Sequence, residues 1–242
     1  MQMNNTTQHQ QMGYDRAASM FAPDGRLLQV EYANKTVKQG TISMAFVCSD
    51  GVLIVADKRV NDKLMVSKSK EKIYQIDEHM ACAVSGLVAD GMVLIDRAQV
   101  KSQQHRISYE APIDILSIIK DICAYKQITT QSGGYRPFGV SLLFAGVDDD
   151  GAQIYVTEPS GVYFQYKATA IGEFENEIKE KLREKFKDGQ TIKANLKLAV
   201  SILKDIKKEE FNIELLDVAV IDEKNRQYKK YDVKEIVDAA SK

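Results

Sequence analysis

The chain has 242 residues, and its 33 lysine and arginine residues against 34 aspartate and glutamate residues give a formal net charge of −1. This near-neutral balance argues against a general nucleic-acid-binding protein, which usually carries a strongly basic face. Hydrophobic residues make up 44% and charged residues 28% of the chain, as in ordinary globular domains and unlike disordered or collagen-like sequences. A chain of this length can bury enough surface to fold without a metal ion or a disulfide.

The amino-terminal residues are polar and rich in Gln, Asn and Thr. They lack the apolar centre of a secretory signal peptide, and no run reaches the roughly 18 apolar residues that cross a membrane, so we predict a cytoplasmic protein without a membrane span. We expect residues 1–18 to form a flexible tail, because they are too polar to pack, and residues 19–242 to form one domain. The three cysteines lie far apart among apolar residues, which predicts buried free thiols. The three histidines are also far apart, so neither a metal site nor a cofactor is predicted.

The first predicted element is a helix over 26–38, where apolar residues recur at helical spacing. Asp24, in the turn Pro23-Asp24-Gly25, could cap its beginning, and Gly40 is placed to end it. Short β-type segments follow, separated by turn residues, at 41–48, 52–56, 63–67, 72–77 and 80–85. Two amphipathic helices are then predicted, at 88–105 and from residue 112 to the break at 132–134.

The second half of the chain repeats this order. Strands are predicted at 140–147, 153–157, 162–166 and 168–171, helices at 173–186 and 192–208, a strand at 213–221 and a last helix at 233–240. Strands that are grouped in blocks favour antiparallel sheets. We therefore predict an α+β fold: a four-layer αββα sandwich of two antiparallel sheets, each covered by a helix pair, with an extra N-terminal helix.

One candidate for chemistry is a threonine nucleophile. Thr41 precedes a predicted strand, and Asp57 and Lys72 follow further along the chain. A threonine hydroxyl can be activated by its own free α-amino group beside a lysine, but that requires cleavage of the chain before Thr41. Otherwise Thr41 simply begins a strand, and Asp57 and Lys72 are polar residues at strand ends. The pattern alone leaves both interpretations open.

Several ordered motifs bring a resemblance to a known family. They are Tyr14-Asp15-Arg16-Ala17, Phe21-Ala22-Pro23-Asp24-Gly25-Arg26, Gln29-Val30-Glu31-Tyr32-Ala33, Ser85-Gly86-Leu87-Val88-Ala89-Asp90, Arg136-Pro137-Phe138-Gly139-Val140-Ser141 and Lys167-Ala168-Thr169-Ala170-Ile171-Gly172. In this order they resemble the α subunits of the 20S proteasome core particle, and the chain as a whole is most similar to the archaeal form.

The resemblance implies the N-terminal nucleophile hydrolase fold, which is an αββα sandwich. It also implies a non-catalytic subunit in a seven-membered α ring, stacked on rings of proteolytic β subunits. In this family the α ring closes the entry pore with its amino-terminal tails, admits unfolded protein substrates, and receives the carboxyl-terminal tails of an activating ATPase.

The alternative is a β-type subunit with Thr41 as its N-terminal nucleophile. Two observations favour the α type. The segment before Thr41 reads as an amphipathic helix rather than a disposable propeptide, and the turn Ala170-Ile171-Gly172-Glu173 lacks the serine that β subunits carry near their catalytic site. The α type has no catalytic residues of its own.

The resemblance also assigns candidate site residues. A cluster that holds the open form of the gate in this family is matched by Tyr14, Asp15, Pro23 and Tyr32. This cluster should hold the tail in one of two states by a few specific hydrogen bonds.

The family's pocket for activator tails is matched by Lys72, Gly40 and Leu87, with the Lys72 cation expected to face a groove between subunits and meet a terminal carboxylate. Two positions depart from the family. Asn34 stands where archaeal chains often have arginine, and Ser132 stands where tyrosine is frequent at the inner constriction.

Overall fold

The structure is a computed structural model that describes Gly13, Ala17 and residues 19–59, 64–66 and 70–241. Most of the predicted tail at 1–18 therefore lies outside the described residues, and the division into a tail and one domain stays a prediction. Of the strand predicted at 63–67, residues 64–66 are described, and they form a turn and a bend instead.

The helices lie close to their predicted positions. They are α1 (Leu28–Gln39), α2 (Val88–Tyr109), α3 (Ile115–Gln131), α4 (Glu175–Lys185), α5 (Ile192–Lys207) and α6 (Val233–Ser241). No helix in the described ranges is long and apolar enough to pass through a bilayer.

The strands of the described residues form two five-stranded sheets in which every pair is antiparallel. They are β1 (Ser43–Cys48), β2 (Gly51–Asp57), β3 (Ile73–Asp77), β4 (Met80–Gly86), β5 (Val140–Asp148), β6 (Gly151–Thr157), β7 (Tyr163–Tyr166), β8 (Ala168–Ile171), β9 (Leu216–Asp222) and β10 (Tyr228–Lys230). The first sheet has the order β10-β9-β2-β1-β8, and the second has the order β3-β4-β5-β6-β7.

The two sheets face each other across a shared apolar layer. On β5, for example, Leu143 and Ala145 join this layer, whereas Leu142 and Phe144 pack under α2 and α3. Successive side chains of a strand point to opposite faces, so a strand that is covered on both faces reads as a continuous apolar run. Helices α4, α5 and α6 cover the outer face of the first sheet. The predicted αββα sandwich is confirmed.

Helix α1 precedes the sandwich, as predicted, and packs beside β4 and β5. The predicted cap is wrong: α1 follows Leu27 without a side-chain cap, and the Asp24 carboxylate instead accepts from the Arg26 backbone at 3.4 Å and from Arg26 Nε at 2.8 Å. Gly40 does end the helix, with its amide donating to Val37 O at 3.0 Å. The predicted buried free thiols are confirmed at Cys48, Cys82 and Cys123.

Candidate functional site

Lys72 is buried where the two sheets meet the end of α1. It lies immediately before β3, and 6% of its surface is exposed. Its ammonium donates to Val84 O at 2.7 Å and to Thr41 O at 3.4 Å, and its backbone amide donates to Asp217 Oδ2 at 3.2 Å. Both carbonyl partners belong to this chain and enclose the side chain. The expectation that Lys72 faces a groove between subunits stays a prediction.

Burial has an electrostatic consequence for Lys72. Loss of hydration disfavours the charged form and lowers the pKa of its ammonium to about 8. Asp57 and Glu173 act against this and raise the pKa, whereas the nearby cations Lys70 and Arg59 lower it further. Lys72 is therefore a cation at neutral pH and loses its charge in mildly alkaline solution.

Gly40 lies near Lys72, at a position where the neighbouring chain segments leave no room for a side chain. A Cβ atom at position 40 would lie 2.3 Å from Ser85 Oγ and 2.4 Å from Gly86 N. On the other side is Gly172, which has a φ of +100° and whose Cβ would lie 2.9 Å from Gly40 O. Glycine is needed at both positions, since any larger residue would push the segments apart.

Leu87 follows Gly86 directly and is 42% exposed. Its backbone amide donates to Gly139 O at 2.9 Å. The three predicted pocket residues thus occupy one corner of the sandwich: Lys72 contacts the residue after Gly40, and Gly40 packs on the residue before Leu87. Their role in binding an activator stays a prediction.

Asp57 and Thr41, the other members of the threonine-protease pattern, lie at the same corner. The Asp57 carboxylate forms an ion pair with Lys207 and accepts from the Arg59 amide at 3.1 Å. Thr41 is joined to Gly40 by a peptide bond, and its carbonyl also accepts from Ser85 Oγ at 3.4 Å. While this bond is intact, its amide nitrogen has no basic lone pair and cannot activate the Thr41 hydroxyl.

The predicted gate cluster is described only in part, because Tyr14 and Asp15 lie outside the described residues. Pro23 is in an exposed turn that is closed by a bond from Gly25 N to Ala22 O at 2.8 Å. Tyr32 is half-buried on α1, with the Lys35 ammonium 5.2 Å from its ring centre. The two residues that differ from the family pattern lie on or beside helices. Asn34 is half-buried on α1, and Ser132 directly follows α3.

Sequence reasoning missed the charged residues that surround Lys72. Glu173 forms an ion pair with Arg59, Lys207 pairs with Asp57, and the Lys70 ammonium donates to the Arg59 carbonyl. Lys207 is 150 positions away from Asp57, so no local pattern could join them. Within the described residues, no group of three or more His, Cys, Asp and Glu side chains is arranged to hold a metal ion.

Comparisons with known proteins agree with this geometry. The model of the proteasome subunit family matches residues 37–221, and the model of the N-terminal signature of A-type proteasome subunits matches residues 14–35. Proteins named as proteasome α subunits are similar over most of the chain. That of Methanocaldococcus jannaschii is 47% identical over 223 residues, which cover 92% of this chain and 85% of the relative. That of Thermococcus sibiricus is 45% identical, with 93% and 86% covered, and that of Archaeoglobus fulgidus is 52% identical, with 74% and 72% covered.

These matches decide between the two interpretations left by the sequence. The signature at 14–35 is that of the A type and ends before Thr41, and these three relatives are all named as α subunits. This chain belongs to the proteasome subunit family and is an α subunit of that family.

Proposed function

We propose that this chain is a non-catalytic subunit of the seven-membered α ring of a cytoplasmic 20S proteasome. In this role it gates the passage of unfolded proteins to a chamber formed by proteolytic β subunits and docks the carboxyl-terminal tails of an ATPase activator. The observation that carries the docking proposal is the buried Lys72 cation beside Gly40, in a corner with an excess of positive charge.

The charge balance of this corner favours an incoming carboxylate. Lys72, Lys70, Arg59 and Lys207 are cations, and Asp57 and Glu173 are acidic residues that pair with cations of this group. A third acidic residue, Asp217, accepts from the Lys72 backbone amide and is paired with a further cation, Lys230. A terminal carboxylate would therefore meet a net positive site in a region of low dielectric, where a charge-assisted hydrogen bond is strong.

Assembly with other subunits is supported by an apolar stripe on α2. Val93, Val100 and Ile107 recur every seven residues along this helix and are 49%, 55% and 81% exposed. Exposed apolar side chains that follow one face of a helix are typical of a surface that is buried against another chain. This agrees with a subunit that works in a ring rather than alone.

Substitution of Lys72 tests the docking proposal. In particles assembled from this chain and β subunits, Lys72→Ala should abolish stimulation by a carboxyl-terminal peptide of a proteasome-activating ATPase. A hydrogen bond to a charged group contributes about 1.5–3 kcal/mol, so its loss should weaken peptide affinity roughly 10- to 100-fold. Peptide hydrolysis and peptide binding measure the two effects.

Two further variants separate the charge of Lys72 from its packing. Lys72→Met keeps the length of the buried stem without the cation, so it should lose stimulation as Lys72→Ala does. Lys120→Ala removes an exposed lysine of α3 and should leave stimulation unchanged. Full stimulation in both Lys72 variants would overturn the assignment of Lys72 as the anchor.

A further inference from the structure

Three consecutive carbonyl groups at the start of β1 bind three charged residues. Gly40 O accepts from the Glu173 amide at 2.8 Å, Thr41 O accepts from the Lys72 ammonium at 3.4 Å, and Ile42 O accepts from the Asp57 amide at 2.9 Å. Asp57 ends β2 and Glu173 follows β8, and these strands flank β1 on its two sides. The backbones of Asp57 and Glu173 are therefore bonded to the two residues on either side of Thr41, whose carbonyl accepts from the Lys72 ammonium.

Both carboxylates are fixed in place. The Asp57 side chain is buried and is held by the Lys207 ammonium and by the Arg59 amide. The Glu173 side chain is 18% exposed and is held by the Arg59 guanidinium, with the Lys207 ammonium 3.9 Å away. Arg59 is itself constrained, since its φ is +38° and its carbonyl accepts from Lys70. Such a left-handed backbone is uncommon for a residue other than glycine and persists only where the surroundings hold it.

The charged form of the buried Lys72 ammonium depends on negative charge nearby. Its own hydrogen bonds go to neutral carbonyl oxygens, and the nearby Asp217 carboxylate accepts from the Lys72 backbone amide rather than from its ammonium. Burial disfavours the charged ammonium, and Asp57 and Glu173 are the groups that raise its pKa. Buried charges persist only where opposite charges or hydrogen bonds offset the lost hydration.

We propose that Asp57 and Glu173 are positioning residues for the activator-tail site: held at the residues on either side of Thr41, they supply the negative charge that keeps the Lys72 ammonium ready for a carboxylate. This inference rests on the proposed function of Lys72. Asp57 and Glu173 act through Lys72 and need not touch the tail. In a threonine protease of this fold an aspartate and a lysine would serve a nucleophile, whereas here the same pair would serve a binding site.

The test measures the pH dependence of stimulation. In particles that contain the parent chain, stimulation by the tail peptide should fall as pH rises through about 8, because Lys72 then loses its proton. Glu173→Gln and Asp57→Asn each remove one negative charge, so the midpoint of this fall should move to lower pH. Glu173→Asp keeps the charge and should retain the parental midpoint. Dividing each rate by that of tail-deleted particles of the same variant removes the pH dependence of the β subunits.

Glu175→Gln is the matched control. Glu175 lies two residues further on, where it forms an ion pair with Lys179, and its substitution should leave the midpoint unchanged. A role in folding alone would lower the rates of Glu173→Gln and Asp57→Asn without moving their midpoints. If Asp57→Asn does not assemble, Glu173→Gln decides the result by itself.

A second measurement keeps this inference separate from the proposed function. NMR titration of the ¹³Cε resonance of Lys72, assigned with Lys72→Arg, reports its charge without an activator. An unchanged Lys72 titration in Glu173→Gln and Asp57→Asn would overturn the inference. If the titration midpoint of Lys72 falls in Glu173→Gln and Asp57→Asn but the pH dependence of stimulation does not change, the two carboxylates do hold the charge of Lys72. Lys72 is then not the anchor of the activator tail.

Discussion

One peptide bond, between Gly40 and Thr41, decides whether the Thr41 hydroxyl can act as a nucleophile. The A-type signature lies before Thr41, so we expect the bond between Gly40 and Thr41 to stay intact and the hydroxyl to keep the weak nucleophilicity of a free alcohol. Thr41→Ala should therefore leave peptide hydrolysis by assembled particles unchanged, while removal of the N-terminal threonine of the β subunit should abolish it. Peptide hydrolysis measures both. N-terminal sequencing that found a mature chain beginning at Thr41 would contradict the prediction.

The environment of the candidate site residues could not be predicted from the sequence. The family resemblance pointed to Lys72, Gly40 and Leu87, whose role stays a prediction, but it did not reveal that the lysine is buried. Its carbonyl partners come from Thr41 and Val84, 31 and 12 positions away. Such contacts depend on how two sheets face each other, which a local sequence pattern does not encode.

Helices and strands whose apolar residues recur at a regular spacing were predicted best. Helices α2 and α5 follow their apolar spacing, and the predicted ranges 88–105 and 192–208 agree with Val88–Tyr109 and Ile192–Lys207 apart from their ends. The three-residue strand β10 was not predicted, because it is too short to show alternation and has two lysines. It forms only because its backbone pairs with β9.

Helix α3 contains a buried charge that should limit the stability of the fold. Lys126 is fully buried and donates to Val140 O at 3.0 Å, to Thr157 O at 3.3 Å and to Thr157 Oγ1 at 2.9 Å. Burial lowers the pKa of its ammonium from 10.5 to about 8. A difference of this size corresponds to about 3 kcal/mol of unfavourable free energy while the lysine is charged in both the folded and the unfolded states.

The sign of the pH effect follows from proton binding. Between pH 8 and 10.5 the unfolded chain binds more protons at Lys126 than the folded chain does, so this residue makes stability rise with pH in that window. Lys126→Met removes the charge and should raise the free energy of unfolding at pH 7 by about 1–2 kcal/mol, after the loss of three hydrogen bonds. Near pH 10.5 the charge term is lost, so only the missing hydrogen bonds remain and Lys126→Met should be less stable than the parent chain by about 1–2 kcal/mol. Chemical denaturation at both pH values measures the difference.

A lysine on the surface of the same helix provides the control. Lys120 is exposed, so Lys120→Met should change the free energy of unfolding little at either pH. An advantage of Lys126→Met that is as large at pH 10.5 as at pH 7 would show that the charge of Lys126 is not responsible.

At the scale of the whole molecule, the order of the layers was predictable from the sequence. The ion pairs around Lys72, at one corner of the sandwich, were not. Strands in blocks between helix pairs predicted the sandwich. The ion pairs of Asp57 and Glu173 join β2, the segment after β8 and the end of α5, which are far apart in sequence. Their partners become neighbours only when the first sheet is complete.

The proposed gate is a property of the assembled ring rather than of one chain. Residues 1–12 are polar and lack an apolar pattern, so a ring without them should lose its barrier but keep its packing. Deletion of residues 1–12 should raise the basal hydrolysis of peptides by assembled particles in the absence of an activator. Helix α1 buries Leu28, Val30, Ala33 and Val37 and is kept in the deletion, so native mass spectrometry should find the same ring of seven or fourteen copies for both chains. Basal rates that stay equal in the deleted and parent particles, with rings intact, would contradict gating by this segment.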